Sequence, residues 1–190
     1  MRTFLFAAAI LGAVASSSRA ANPVVVMDTS MGKIKIELFE DKAPITVKNF
    51  LSYVDDKFYD NTIFHRVIKG FMNQAGGFGT DKQEKKTKAN IKNEWQNGLS
   101  NVRGTLAMAR TREPDTASAQ FFINAADNKR LDQPSPQTGF AGYCVFGKVI
   151  EGMDVADKIN NAATRDEGGA FTNAPVEQIV IKSIRRADAK

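Results

Sequence analysis

The stretch Thr62–Gly77, TIFHRVIKGFMNQAGG, is the one on which the reading of the chain turns. It opens as a strand, because Ile63, Phe64, Val67 and Ile68 are β-formers. Regular pleating puts Phe64, Arg66 and Ile68 on one face, so that a guanidinium stands between apolar side chains on a rigid element. His65 then points to the opposite face. Gly70 breaks the strand, and Phe71, Met72 and Gln74 follow, with small residues behind them. An apolar floor, one fixed cation and one amide are the parts of a small-ligand site. The plainer reading is a buried strand whose Arg reaches water along its aliphatic stem. A second stretch is needed to separate the two.

That second stretch is Ala119–Asn124, AQFFIN. Its pleat sends Phe121 and Ile123 one way, and Gln120, Phe122 and Asn124 the other. If the first pair faces a core, Gln120 and Phe122 face what lies outside it. Thr105–Ala109 is a short strand of the same kind, with Leu106 and Met108 on one face and Ala107 and Ala109 on the other. Upstream, the apolar run Pro23–Met27 and the alternating Lys33–Leu38 flank the turn Ser30-Met31-Gly32 and predict a β-hairpin, with Ile34, Ile36 and Leu38 inward. Pro44 opens a helix whose apolar face is Val47, Phe50, Leu51 and Val54. Downstream, the spacing predicts a strand over 143–149, a short helix over 153–159 and a closing strand over 177–184. Arg110–Ala117, with Pro114, reads as loop, as does the segment with Pro134, Pro136 and Gly139. Many short strands, two helices and glycine-rich turns in one domain predict a mainly β chain folded as a closed antiparallel barrel with helices over its ends.

A chain of 190 residues can bury a real core. Its N-terminus has the form of a secretory signal peptide: Met1 and Arg2, then an uncharged apolar run Phe4–Ala15, then Ser18-Arg19-Ala20 as a cleavage pattern. We expect residues 1–20 to be removed after Ala20, and 21–190 to form one soluble domain in an exported compartment, the periplasm. Loss of Arg2 and Arg19 takes the basic count from 26 to 24 against 21 acids, and the net charge from +5 to +3. That balance makes no case for nucleic acid. The lysines Lys82, Lys85, Lys86, Lys88 and Lys92 read as a hydrated loop. The glycines before them lack the Gly-Lys-Ser/Thr ending of a phosphate loop. Cys144 is the only cysteine, so no intrachain disulfide forms, and it reads as a buried strand thiol. His65 is the only histidine, which excludes a multi-His metal site and most His-based nucleophile arrangements.

The stretches FHRVIKGFMNQAGG and AQFFIN, in that order, together with GTLAMAR, YCVFGKVIEGMDV and the N-terminal hairpin, resemble the cyclophilins. The likeness covers nearly all of the chain after residue 20. With an exported N-terminus it looks like the periplasmic bacterial branch. The resemblance implies an eight-stranded antiparallel barrel capped by two helices, and peptidyl-prolyl cis/trans isomerase activity. It makes Arg66 the catalytic cation and Gln74 the side chain that orients it. Phe71, Met72, Phe122 and Leu131 become walls of a proline pocket, Ala109 and Gln120 bind the peptide backbone, and Tyr143 joins the binding surface. It also implies proline-containing peptides and unfolded exported proteins as partners, a monomer without stable membrane insertion, and no cofactor or metal. Three positions depart from the best-known eukaryotic pattern. Arg110 replaces an Asn, Arg130 stands about where a Trp is usual, and Tyr143 stands where a His is usual.

The alternatives belong to other classes. A non-catalytic proline-peptide module or holdase on the same barrel would need no aimed cation. A polyanion binder would use the Lys82–Lys92 loop. A hydrolase would need a nucleophile beside the one His.

Overall fold

The computed structural model describes residues 21–134 and 141–187. The expected signal peptide (1–20), Pro136 and Gly139 lie outside the described residues. Eight strands close into a barrel: β1 (Val24–Thr29), β2 (Gly32–Leu38), β3 (Thr62–Ile68), β4 (Met72–Gly79), β5 (Thr105–Met108), β6 (Phe121–Asn124), β7 (Val145–Glu151) and β10 (Val180–Arg186). Around the wall they run β1-β10-β3-β4-β6-β5-β7-β2, every pair antiparallel, and β2 returns to β1. Closure leaves no open sheet edge. A separate two-stranded ribbon, β8 (Thr164–Arg165) with β9 (Ala174–Pro175), stands in the connection before β10.

The expected hairpin and the helix α1 (Pro44–Asp55) form as read, and Ile34, Ile36, Leu38, Val47, Phe50, Leu51 and Val54 all enter one core. Helix α2 (Met153–Asn160) adds Val155, Ala156 and Ile159. Phe50 meets Phe121 edge-on at 5.5 Å and packs against Tyr59 and Phe146 at 5.2 Å, so one helix residue ties β6 to β7 across β5. Burying such a ring is worth roughly 1.5–3 kcal/mol. Cys144 is buried just before β7 rather than within it, 3.5 Å from Thr46 Oγ1, and burial pushes its pKa up to about 11. A thiol held protonated in this way is a small apolar side chain. The last strand starts later than its pattern suggested, at Val180, because residues 177–179 still belong to the approach from β9.

The lysine-rich segment departs from expectation more. It is anchored, not merely hydrated: Lys82 pairs with Glu167, Lys85 donates to the Phe58 carbonyl over that residue's ring, and Lys88 pairs with Asp56 at 2.6 Å. Further along the same loop, Glu94 accepts from the backbone N–H groups of Ile45 (3.1 Å) and Thr46 (2.8 Å) and from the Thr46 hydroxyl (2.7 Å). Helix α1 has no acid in its own first turn and no side-chain cap at Ala43, so a residue far along the chain meets its orphan N–H groups and positive end. Glu94→Ala should therefore destabilise the protein by about 1–2 kcal/mol in urea unfolding. An unchanged midpoint would mean that water serves that helix end equally well.

Candidate functional site

The antiparallel pairing of β3 and β4 builds the site, and it is irregular in two places. Phe64 pairs with Ala75 and Arg66 with Gln74, so His65 is an extra residue in β3. Thr62 pairs with Gly79, which leaves Gly76, Gly77 and Phe78 to bulge out of β4. The extra residue overturns the simple pleat. Phe64 enters the barrel core with Val67, while Arg66 faces outward, and Ile68 packs beside Met72 in a second apolar cluster. His65 likewise does not point away from Arg66; it lines the same cavity.

That cavity holds about 560 Å³. Arg66, Met72 and Gln74 supply its base from β3 and β4, and Phe122 extends it from β6. Ala109 and Gln120 line it from the ends of β5 and β6, Phe71 from the β3–β4 turn, Leu131 from a 3₁₀ turn and Tyr143 from the approach to β7. Every site residue named from the sequence thus lies on one surface. The alternation read in AQFFIN and GTLAM holds: Phe121, Ile123, Leu106 and Met108 are core, while Phe122, Ala107 and Ala109 belong to the cavity side.

A chain of amides sets the cation. Arg66 Nη1 donates to Gln74 Oε1 at 3.3 Å, and Gln74 Nε2 donates to Gln120 Oε1 at 3.0 Å. Gly77 makes this possible, since a Cβ there would stand 2.6 Å from the Gln120 side chain. The apolar wall is buried and closely packed. Phe122 is 5% exposed and Met72 2%, and Tyr143 meets Phe122 edge-on at 5.7 Å.

Residues that sequence reasoning missed hold this wall in place. Asn128 Nδ2 donates to the Phe71 carbonyl (2.9 Å) and to Asn124 Oδ1 (2.8 Å). Asn124 donates on to Thr105 Oγ1 and Asn101 Oδ1. Asp132 accepts from Ser100 and from Asn101, whose amide also reaches the Tyr143 carbonyl. Phe71, Leu131 and Tyr143 are therefore pinned by one buried polar network. Short runs such as ADN carry no periodicity, so only the fold reveals them. Arg110 likewise serves as a staple: it stacks on Tyr143 (4.4 Å), and its fork donates to the carbonyls of Thr111, Arg112, Ala141 and Gly142.

The far wall was also unforeseen. Gly169, Ala170 and Thr172 reach the cavity from the connection between β8 and β9. Phe171 docks there against Phe78 (4.9 Å) and His65 (6.3 Å), while Glu167 binds Lys82 and Arg165. His65 is 1% exposed, 4.8 Å from the Phe78 ring, and its Nδ1 meets no partner among the described residues. Burial, and then the charge of Arg66, lower its pKa to about 4. An imidazole so placed stays neutral at neutral pH.

The family model for cyclophilin type peptidyl-prolyl cis-trans isomerases matches residues 24–186. A peptidyl-prolyl cis-trans isomerase of Acinetobacter baylyi is 54% identical over 179 residues, covering 94% of this chain and 93% of that protein. Peptidyl-prolyl cis-trans isomerase B of Escherichia coli is 53% identical over 161 residues, covering 85% and 98%. Among solved structures, a Cryptosporidium parvum cyclophilin type isomerase superposes with a TM-score of 0.69 at 30% identity, over 87% of this chain and 99% of that one. It was solved in the presence of the dipeptide Ala-Pro.

His65 gives a pH signature. Unfolded, its imidazole titrates near the ordinary 6.5, and folded at about 4. Between those values only the unfolded chain binds the proton. Stability is therefore present above pH 6.5 and lost as the pH falls towards 4, by roughly 3 kcal/mol in all. In urea unfolding at pH 7 and pH 4, His65→Gln should lose less on acidification than the wild type by about that amount. Parallel losses in the two proteins would contradict the burial of a neutral imidazole.

Proposed function

The chain belongs to the cyclophilin-type peptidyl-prolyl cis-trans isomerases, and from that premise we propose that Arg66 carries the reaction, acting on exported proteins. The observation that supports this most is the aimed guanidinium: Arg66 is held by Gln74 at 3.3 Å beside the buried apolar floor of Met72 and Phe122.

Rotation of a peptide bond costs about 18–20 kcal/mol, because its C–N bond is partly double. For X-Pro the two isomers differ by only about 0.5–1 kcal/mol, so both are populated and exchange slowly. No bond need be made or broken. Twisting the amide decouples the nitrogen lone pair, and the nitrogen becomes basic and pyramidal. A donor aimed there binds the twisted form better than the planar one, which is differential transition-state binding. The guanidinium of Arg66 stays charged and presents a rigid fork, and it also reaches the substrate carbonyl. Phe71, Met72, Phe122 and Leu131 grip the proline ring and exclude water, while Ala109 and Gln120 hold the adjoining backbone. Tyr143 closes the pocket behind Phe122. Gln74 positions Arg66 without neutralising it. Proline-bearing segments of unfolded exported proteins are the substrates in this reading.

Arg66→Ala should lower kcat by two to three orders of magnitude, from the roughly 3–4 kcal/mol that one positioned donor contributes in a dry site. Peptide affinity should change much less, because the walls contact proline in both states. Arg66→Lys should rescue little, and Phe122→Ala should raise KM as well. A protease-coupled assay on a proline peptide measures all three. Near wild-type turnover by Arg66→Ala would refute the mechanism and leave the family unaffected.

Export rests on Met1-Arg2, the apolar run Phe4–Ala15 and Ser18-Arg19-Ala20, all ahead of the family match that begins at Val24. N-terminal sequencing of protein recovered from the periplasm should begin at Ala21. Recovery only with Met1 retained, inside the cytoplasm or on a membrane, would defeat the proposal.

A further inference from the structure

Among the described residues the cavity is lined by two guanidiniums, Arg66 and Arg110, and by no carboxylate. A third stands at its rim. Arg130, in the 3₁₀ turn Lys129–Leu131, is exposed, and its guanidinium carbon lies 4.7 Å over the ring centroid of Phe71. Phe71 is itself a cavity wall and Leu131, the next residue, is another. The stack holds a planar fork of donors at the edge of the pocket.

The other two cations are already committed. Arg110 spends its fork on four carbonyls, and Arg66 is held by Gln74 for the amide. The acids nearest Arg130 in the chain are occupied as well. Asp127 accepts from the Arg103 backbone N–H at 2.9 Å, and Asp132 turns inward to Ser100 and Asn101. Among the described residues no carboxylate pairs with Arg130. A preorganised guanidinium with open donors, at the mouth of a pocket without negative charge, is complementary to a carboxylate.

We propose that Arg130 is a specificity residue, and that the preferred substrates are X-Pro segments bearing an Asp or Glu beside the proline, at the Phe71 end of the cavity. The inference rests on the isomerase reading above and narrows its substrate class. Arg130 takes no part in rotating the bond. It adds an ion pair with one side chain of the peptide, formed in ground and transition states alike, and so acts on KM and on the encounter rate.

A rim pair of this kind is solvated, so its effect is modest and sensitive to salt. The test uses proline peptides that differ only by Glu, Gln or Lys, placed in turn at each position flanking the X-Pro pair. Values of kcat/KM are compared for wild type, Arg130→Gln and Arg130→Glu at low and high ionic strength. At one position the wild type should favour Glu over Gln by about two- to fivefold at low salt. The change should lie mainly in KM and shrink in high salt. The Glu-to-Gln ratio should fall to near one in Arg130→Gln, and Arg130→Glu should favour Lys. Equal turnover of Glu and Gln peptides by the wild type at every position overturns the inference, as does a preference that survives in Arg130→Gln. An enzyme that turns over none of the peptides would instead overturn the isomerase reading.

Discussion

One extra residue in β3 orders the site. Phe64 and Val67 must both enter the barrel core, and between them a regular strand would turn His65 and Arg66 to opposite faces. Pairing Phe64 with Ala75 and Arg66 with Gln74 removes one step from β4 and leaves His65 unmatched. Both side chains then meet the cavity, the core keeps its two apolar residues, and the cation sits directly across from the amide that holds it. A bulge re-aims a side chain without moving the strand that carries it. The glycines of β4 compensate on the other side. Gly76 adopts a φ of +88°, and Gly77 leaves room for Gln120, so the two irregularities together assemble Arg66, Gln74 and Gln120 in one line.

This geometry explains which parts of the molecule could be read in its letters. Strands with one face in the core and one outside obey a period of two. AQFFIN and GTLAM therefore sorted correctly into core and cavity residues, and α1 sorted by its period of 3.6. The bulge broke the rule at the one strand where function depends on breaking it, so Phe64 and His65 were assigned to the wrong faces. Periodicity carries no signal for Asn101, Asn124, Asn128 and Asp132, whose partners are distant in sequence. It carries none for Gly169, Ala170 and Thr172 either, where two glycines with positive φ, at 168 and 169, shape the wall. The resemblance to a family supplied the roles expected of Arg66 and Gln74, which physics alone left as one option of two.

The buried amide network and the aromatic cluster solve the same problem at opposite ends of the cavity. A pocket that binds proline in both isomers must offer a wall that does not yield, yet Phe71, Leu131 and Tyr143 all sit on irregular backbone. Irregular backbone is normally the mobile part of a fold. Here the Phe71 and Tyr143 carbonyls accept from Asn128 and Asn101, and the Leu131 N–H donates to the Asn128 carbonyl, so each wall residue is tied through these asparagines to Asn124 of β6. On the other side Phe171, between His65 and Phe78, anchors the glycine-bearing connection to β3 and β4 by ring contacts, with Glu167 fixed by two cations.

The choice of a neutral partner for Arg66 has an electrostatic reason. A carboxylate in place of the Gln74 amide would aim the guanidinium equally well and bind it more tightly. In the proposed mechanism it would also place a full negative charge close to the developing lone pair. At an effective dielectric near 20, unit charges about 4 Å apart interact by about 4 kcal/mol. That is as large as the roughly 3–4 kcal/mol a positioned donor contributes in a dry site. A carboxylate would thus cancel much of the field it was meant to orient. Gln74 supplies an oxygen to Arg66 at 3.3 Å and has its own nitrogen satisfied by Gln120, so direction is fixed while the net charge is kept. The same logic fits the absence of any carboxylate among the described residues lining the cavity. It fits Arg110 as well, whose described partners are carbonyl dipoles and the Tyr143 ring, so that its charge is kept. The field left inside the pocket is positive, as the proposed stabilisation of a twisting amide nitrogen requires.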